Sequence, residues 1–219
     1  MPVTPANPST VHPPPNNMRR VSRLSSTAPE TRATGHRLHG IQSWVALPKS
    51  AEKNPPSFKH HPAATLPLVT QAGARMRVIA GTAFGVSSPV EVLSPTLYVD
   101  ADLDAGAAIT LTADHRERAV YVADGAVTVG DTALPALQMA VLTEGTPVTI
   151  TAMESTRLMI LGGAPLDGPR LMWWNFVASD EALLEEAKAN WGKGDTEQFG
   201  GQFTLPPDDN AEFIPLPQA

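Results

Sequence analysis

The sequence predicts an all-β protein, an antiparallel sandwich or barrel followed by one C-terminal helix and preceded by a disordered N-terminal segment. Three observations carry this prediction. From residue 76 onward, apolar residues recur in nine short runs of high β-propensity, each bounded by Gly, Pro, Asp or Thr. Glycines stand where tight hairpins need a positive φ. Only one stretch, SDEALLEEAKANWGKG, has helical periodicity instead of alternation.

Taken in order, the elements begin late. Seven of the 22 prolines lie in the first thirty residues, where almost nothing apolar repeats with a helix or strand period. Residues 1–30 are therefore expected to be disordered, or to be a mis-called start. Within them MRRVSRLSS (18–26) is rich in Arg and Ser and free of acid, the composition of an organellar transit peptide. The unstructured or mis-called start is the preferred reading. GIQSWVAL (40–47) reads as one strand, and the Pro-broken remainder to Val69 reads as a long connection.

The strand candidates are MRVIAG, VEVL, TLYVDADL, AAITLT, RAVYVADG, AVTVG, MAVL, PVTITA and RLMILGG. Leu97, Val99 and Ala101 alternate with Tyr98, Asp100 and Asp102, so one face looks inward and the other meets water. Gly125 and the Gly130-Asp131 pair supply turns, and residues 120–134 are expected to form consecutive paired strands. Ser179 is the candidate N-cap of the helix. Asp180 and Glu181 lie in its first turn, and Gly192 is its stop. Leu183, Ala187 and Trp191, with Leu184 beside them, form the stripe that packs. The tail, 193–219, is polar and Pro-rich, with isolated anchors at Phe213, Ile214 and Leu216.

Composition excludes several function classes. Residues 1–40 hold five arginines and one glutamate, a sum of +4; removing that from the whole-chain −6 leaves −10 on residues 41–219. An acidic body argues against a nucleic-acid partner. No cysteine is present, which removes disulfides, thiolate metal sites and a cysteine nucleophile, and fits a reducing, cytoplasmic compartment. No run approaches the roughly 18 apolar residues of a membrane helix. There is no G-x-S-x-G, and the glycine pairs of GTAFGVSS and ILGGAPLDG open no helix that could cradle a phosphate.

Several separate blocks occur in the order of one known family. HRLHGIQSWVALPKSAEKNPPSF, MRVIAGTAFGVSSPVEVLSPTLYVDADLDAGA, YVADGAVTVG and WWNFVASDEALLEEAKANW together resemble pirin-family proteins over roughly residues 31–217. The resemblance implies a cupin-type antiparallel β-barrel, a jelly roll. Family members are bicupins, with a metal, usually iron, in the first barrel and none in the second; some act as quercetin 2,3-dioxygenases. On that basis residues 31–90 are expected to be the last strand of an N-terminal cupin plus linker, 91–192 the C-terminal barrel and helix, and 193–219 an irregular tail. The His-Pro-His and His-Ser-Glu segments that supply the family's iron ligands have no counterpart here, and no H-x-H occurs. The resemblance implies no cofactor in this chain.

DHRERAVYVADG (114–125) is where the barrel's own chemistry is read. A metal-binding cupin strand has the form H-x-H, three or four residues, Glu, six residues, Gly, because alternate side chains must converge inward on the ion. Counting back from Gly125, the glutamate position holds Arg118, and the histidine positions fall on Thr112 and Asp114 or on Leu111 and Ala113. The second motif reads LPALQMAVL and offers no histidine. His115 and Glu117, His36 and His39, and His60 and His61 are pairs where a metal needs three ligands, and each is read as a loop or linker pair. No catalytic, cofactor or metal residue is therefore assigned. Trp173, Trp174 and Phe176 form the densest aromatic cluster, read as the seat of the helix, with a protein partner expected at exposed apolar surface.

Overall fold

The structure is a computed structural model that describes residues 40–54, 57, 59–203, 205 and 213–217. They fall into two compact units, His60–Pro165 and a second made of the residues up to Lys59 together with those from Leu166 onward. The disorder expected for residues 1–30 and the His36/His39 pair lie outside the described residues.

The first unit contains strands β1 (Leu68–Gln71), β2 (Ala74–Ala80), β3 (Thr82–Ala83), β4 (Val86–Ser87), β5 (Thr96–Leu103) and β6 (Ala108–Leu111). It continues with β7 (Glu117–Asp124), β8 (Ala126–Val129), β9 (Thr132–Pro135), β10 (Met139–Val141), β11 (Val148–Ala152) and β12 (Thr156–Gly163). A six-stranded sheet, β1-β2-β5-β12-β7-β10, and a four-stranded sheet, β6-β11-β8-β9, are both antiparallel throughout, and β3 and β4 form a separate small hairpin. This is the expected jelly roll. Met76, Val78, Leu97, Val99, Val120, Val122, Leu158 and Ile160 from the larger sheet share one core with Ile109, Leu111, Val127, Val129, Leu134 and Ile150 from the smaller. Burying each such side chain contributes about 1.5–3 kcal/mol. The alternation read in TLYVDADL is obeyed residue by residue, with Leu97, Val99, Ala101 and Leu103 all buried.

Three expectations are corrected. VEVL forms no strand: between Pro89 and Pro95 the run is too short to join a ladder, and Val92 and Leu93 are exposed. Residues 40–48 form no strand either, and the Leu47 carbonyl accepts from the Arg170 guanidinium rather than from a neighbouring strand. Finally, β7 and β8 are consecutive but unpaired, because they belong to different sheets. Gly125, at φ +83°, turns the chain between them, and a Cβ there would stand 2.5 Å from Thr156 Oγ1 and 2.6 Å from the Ser155 carbonyl oxygen. The hairpin at Gly130-Asp131 is found as expected, with Val129 opposite Thr132.

The second unit holds the β13 (Leu171–Trp173) and β14 (Phe176–Ala178) hairpin, helix α1 (Glu181–Gly192) and a 3-10 segment, Asp195–Gly201. Asp180, not Ser179, caps the helix by accepting from the Ala182 N–H at 2.8 Å. Ser179 instead donates to Glu52 Oε2 at 2.5 Å. The helix runs through Gly192, and the residue with left-handed backbone beyond it is Gly194, at φ +70°. Leu184, Ala187 and Trp191 are buried, with Leu183 partly so. Trp191 stacks on Phe199 at 4.6 Å between centroids, meets Phe176 edge to face, and donates its indole N–H to the Ile214 carbonyl at 2.9 Å. The aromatic cluster does seat the helix. Phe213 and Leu216 pack against it, whereas Ile214 offers only its carbonyl and leaves its side chain in water. Within the same unit the nearly buried Arg170 approaches Glu52 Oε1 at 3.2 Å, and the Lys49 N–H donates to Asp167 at 2.8 Å.

The two turn glycines separate steric from conformational cost. Gly130→Ala meets nothing within 4 Å and should lose about 1–2 kcal/mol for the left-handed backbone. Gly125→Ala adds the collision with residues 155–156 and should lose about 3 kcal/mol or more in urea unfolding. Trp191→Ala should cost about 3–5 kcal/mol, with collapse of the near-ultraviolet circular dichroism, because it removes the centre of the aromatic cluster.

Candidate functional site

The chemistry of this barrel is concentrated where β7 begins. Successive side chains of a strand point to opposite faces, and on β7 the buried phase is Arg118, Val120 and Val122. Arg118 therefore points the same way as the core valines. It is only 2 % exposed, the one charged residue in the interior of this unit among the described residues. Its guanidinium donates to three backbone carbonyls: from Nη1 to Thr112 at 2.8 Å, and from Nη2 to Thr143 at 2.6 Å and Thr146 at 3.0 Å. These bonds tie together the loop after β6 and the loop between β10 and β11. Its Nε–H has no acceptor, and among the described residues no carboxylate pairs with it.

The polar sequence candidates near Arg118 in the chain lie at the surface or in loops. Thr112 and Asp114 are exposed and bond to each other at 2.6 Å, while Leu111 is core and Ala113 half-buried. Glu117 lies on the exposed phase of β7. His115 precedes the strand, and its Nε2 lies 3.0 Å from the Thr82 carbonyl oxygen. Arg116 makes a two-pronged contact with Glu144 at 2.8 and 3.4 Å, which holds the Glu144 carboxyl below the usual carboxylate range through the hydrogen bond first and the charge second. His60 is exposed and His61 half-buried. Among the described residues no three His, Asp or Glu come together in a group that could hold a metal.

These inward positions do not fit a divalent ion. Among the described residues the interior offers aliphatic side chains and one guanidinium, with no imidazole or carboxylate turned in from the strands. At about 4 Å and an effective dielectric of about 20, a guanidinium repels each unit of positive charge by about 4 kcal/mol. The three carbonyls that hold Arg118 were not legible beforehand, because a backbone acceptor leaves no mark on residue identity. A cleft of about 230 Å³ in the second unit, lined by Glu52, Lys53, Glu186 and Asn190 among others, is polar. There Asn190 and Gln202 bond each other at 2.8 Å, and Lys193 bonds Asn190.

The two arginines of this region should behave differently. Arg118→Met leaves three carbonyls without their donor and should cost about 2–4 kcal/mol in chemical unfolding. Arg116→Gln breaks an exposed pair and should lower stability at neutral pH only slightly. Because the folded-state value of Glu144 is depressed, the pair's small contribution is present above the unfolded carboxylate value and lost as pH falls through the folded one. The variant should flatten that part of the acid titration.

Comparison with known proteins agrees with the geometry. Residues 98–197 match the family described as the pirin C-terminal cupin domain. The chain is 44% identical over 188 residues to a pirin-like protein of Caulobacter vibrioides, covering 85% of this chain and 62% of that one. It is 30% identical over 156 residues to pirin of Mus musculus, covering 68% and 54%. The crystal structure of quercetin 2,3-dioxygenase from Acinetobacter baumannii superposes with a TM-score of 0.69 at 29% identity, over 80% of this chain and 57% of that one. The chain thus spans about half to three fifths of the length of these relatives. Residues 98–197 thus match the pirin C-terminal cupin domain, and through that part the chain is similar to pirins.

Proposed function

We propose that this chain is a pirin-type cupin whose barrel carries no catalytic metal, that it is non-catalytic in this form, and that it acts in the cytoplasm through protein contacts. The observation that carries the reading is Arg118, a buried cation in the inward position where a metal-binding cupin strand needs a carboxylate. Exposed apolar side chains support the second half. Val141 on the edge strand β10 and Leu137 just before it are both more than half exposed, as is Met172 on β13. No described helix is long and apolar enough to cross a membrane.

The likeness to the Acinetobacter baumannii quercetin 2,3-dioxygenase favours a second reading. In it, this chain is the C-terminal portion of a metal-dependent oxygenase acting on quercetin-like flavonols. The ion would then be held by histidines and a glutamate of a preceding cupin.

The DNA upstream of residue 31, translated in all three frames, separates the two: the second reading requires paired histidines and a His-Ser-Glu segment there. Metal analysis of the chain purified from iron- and nickel-supplemented cells tests the first. Well below one iron or nickel per chain is expected, together with oxygen uptake in the presence of quercetin no faster than in buffer. Stoichiometric metal with quercetin-dependent oxygen uptake would falsify the non-catalytic reading.

A further inference from the structure

Arg118 is unusual in a way that structural support alone does not explain. Three of its five N–H groups serve to hold two loops together, a task that a neutral donor could perform. Among the described residues no carboxylate compensates its charge. A buried cation costs several kcal/mol unless an anion or a full set of acceptors accompanies it, and here the Nε–H has none. The position directly across the ladder on β12 is Gly162, which places no side chain beside the arginine.

Partly buried apolar side chains gather at the same end of the barrel. Phe84, Val86, Leu142 and Val148 are partly buried and pack on the barrel core. Leu142 and Val148 flank the loop whose Thr143 and Thr146 carbonyls hold Arg118, and the Leu142 N–H donates to the Arg118 carbonyl. Phe84 and Val86 belong to the β3–β4 hairpin, which is fastened to the loop before β7 by the His115 to Thr82 contact. Phe84 itself adopts φ +50°, a conformation that bulky residues avoid and that collects at ligand clamps. One fixed cation at a barrel end that also carries apolar side chains and a short hairpin is the composition of a small-ligand site.

We propose that this end of the barrel binds a small carboxylate with an apolar body. The carboxylate accepts from the Arg118 Nε–H, the body lies against Phe84, Leu142 and Val148, and the β3–β4 hairpin opens to admit it. A carboxylate monoanion is favoured over phosphate. The Nε–H is a donor of fixed direction, the apolar side chains at this end are aliphatic and aromatic, and Asp114 and Glu117 stand nearby in sequence to repel a dianion. The proposal rests on the metal-free, non-catalytic reading of this barrel given above.

The test is a titration of the whole chain, first analysed for metal, with benzoate and separately with its neutral isostere benzamide at constant ionic strength. It is followed through the arginine Nε–H signals in nitrogen-15 correlation spectra. One signal, identified by its loss in Arg118→Met, should move saturably with benzoate and not with benzamide, and the variant should bind benzoate at least about tenfold more weakly. If the variant does not fold, the benzoate against benzamide comparison on the native chain decides alone. No saturable movement of any arginine signal, or equal movement with both probes, overturns the proposal. Bound metal together with benzoate binding sinks only the earlier reading, and metal-free protein that ignores benzoate sinks only this one.

Discussion

The barrel rests on strict alternation along its strands. Each sheet has to hide one face, and a strand can hide only every second side chain, so the inward phase of β2, β5, β7, β8, β11 and β12 is almost wholly aliphatic. The constraint leaves little freedom. A residue on that phase must be apolar or must bring its own partners, and Arg118 does the latter with three carbonyls drawn from two loops. The same arginine therefore closes one end of the barrel and sets its chemistry. It cannot serve as a ligand for a cation, and it makes the interior at that end electropositive in an otherwise acidic chain.

Family likeness and site chemistry bear on different questions. The likeness to pirins and to a quercetin 2,3-dioxygenase covers the C-terminal cupin, and the barrel it describes is the one observed. A fold of this kind hosts many functions, and what a copy does is decided by the side chains at its interior and mouth. Here the outward phase of β7 and the preceding loop hold the acids and the histidine, whereas the inward phase holds the guanidinium. A shift of one residue along the strand would exchange the two sets, and alternation pinned by the core valines prevents it.

The second unit uses a different source of cohesion. Its described core is built on rings, with Trp173, Trp174, Phe176, Trp191, Phe199 and Phe203 linked in one network of contacts. Edge-to-face and stacked pairs of this kind contribute about 0.5–1.5 kcal/mol each beyond the area they bury. The near-buried Arg170, held by Glu52, Asp167 and the Leu47 carbonyl, fastens the segment around residues 47–52 within the same unit.

The strands whose inward residues are consecutive in phase, such as TLYVDADL and RAVYVADG, were legible in the sequence because alternation is a local property. So were the Gly130-Asp131 hairpin and the helix stripe ending at Trp191. The substitution of Arg118 at the metal-ligand position was equally legible, since strand phase alone turns it inward. What only tertiary structure decided are matters of pairing. VEVL has strand composition and no ladder to join, and β7 and β8 are neighbours in sequence and strangers in space. Trp174-Asn175 makes a hairpin without a glycine because the aromatic cluster holds Trp174 at φ +49°. Likewise Asp180 rather than Ser179 caps α1, because Ser179 is engaged by Glu52 more than a hundred residues earlier in the chain. Residue identity determines which face of an element can be buried; which partner buries it depends on contacts distant in sequence, and backbone acceptors such as the carbonyls around Arg118 become visible only once those contacts form.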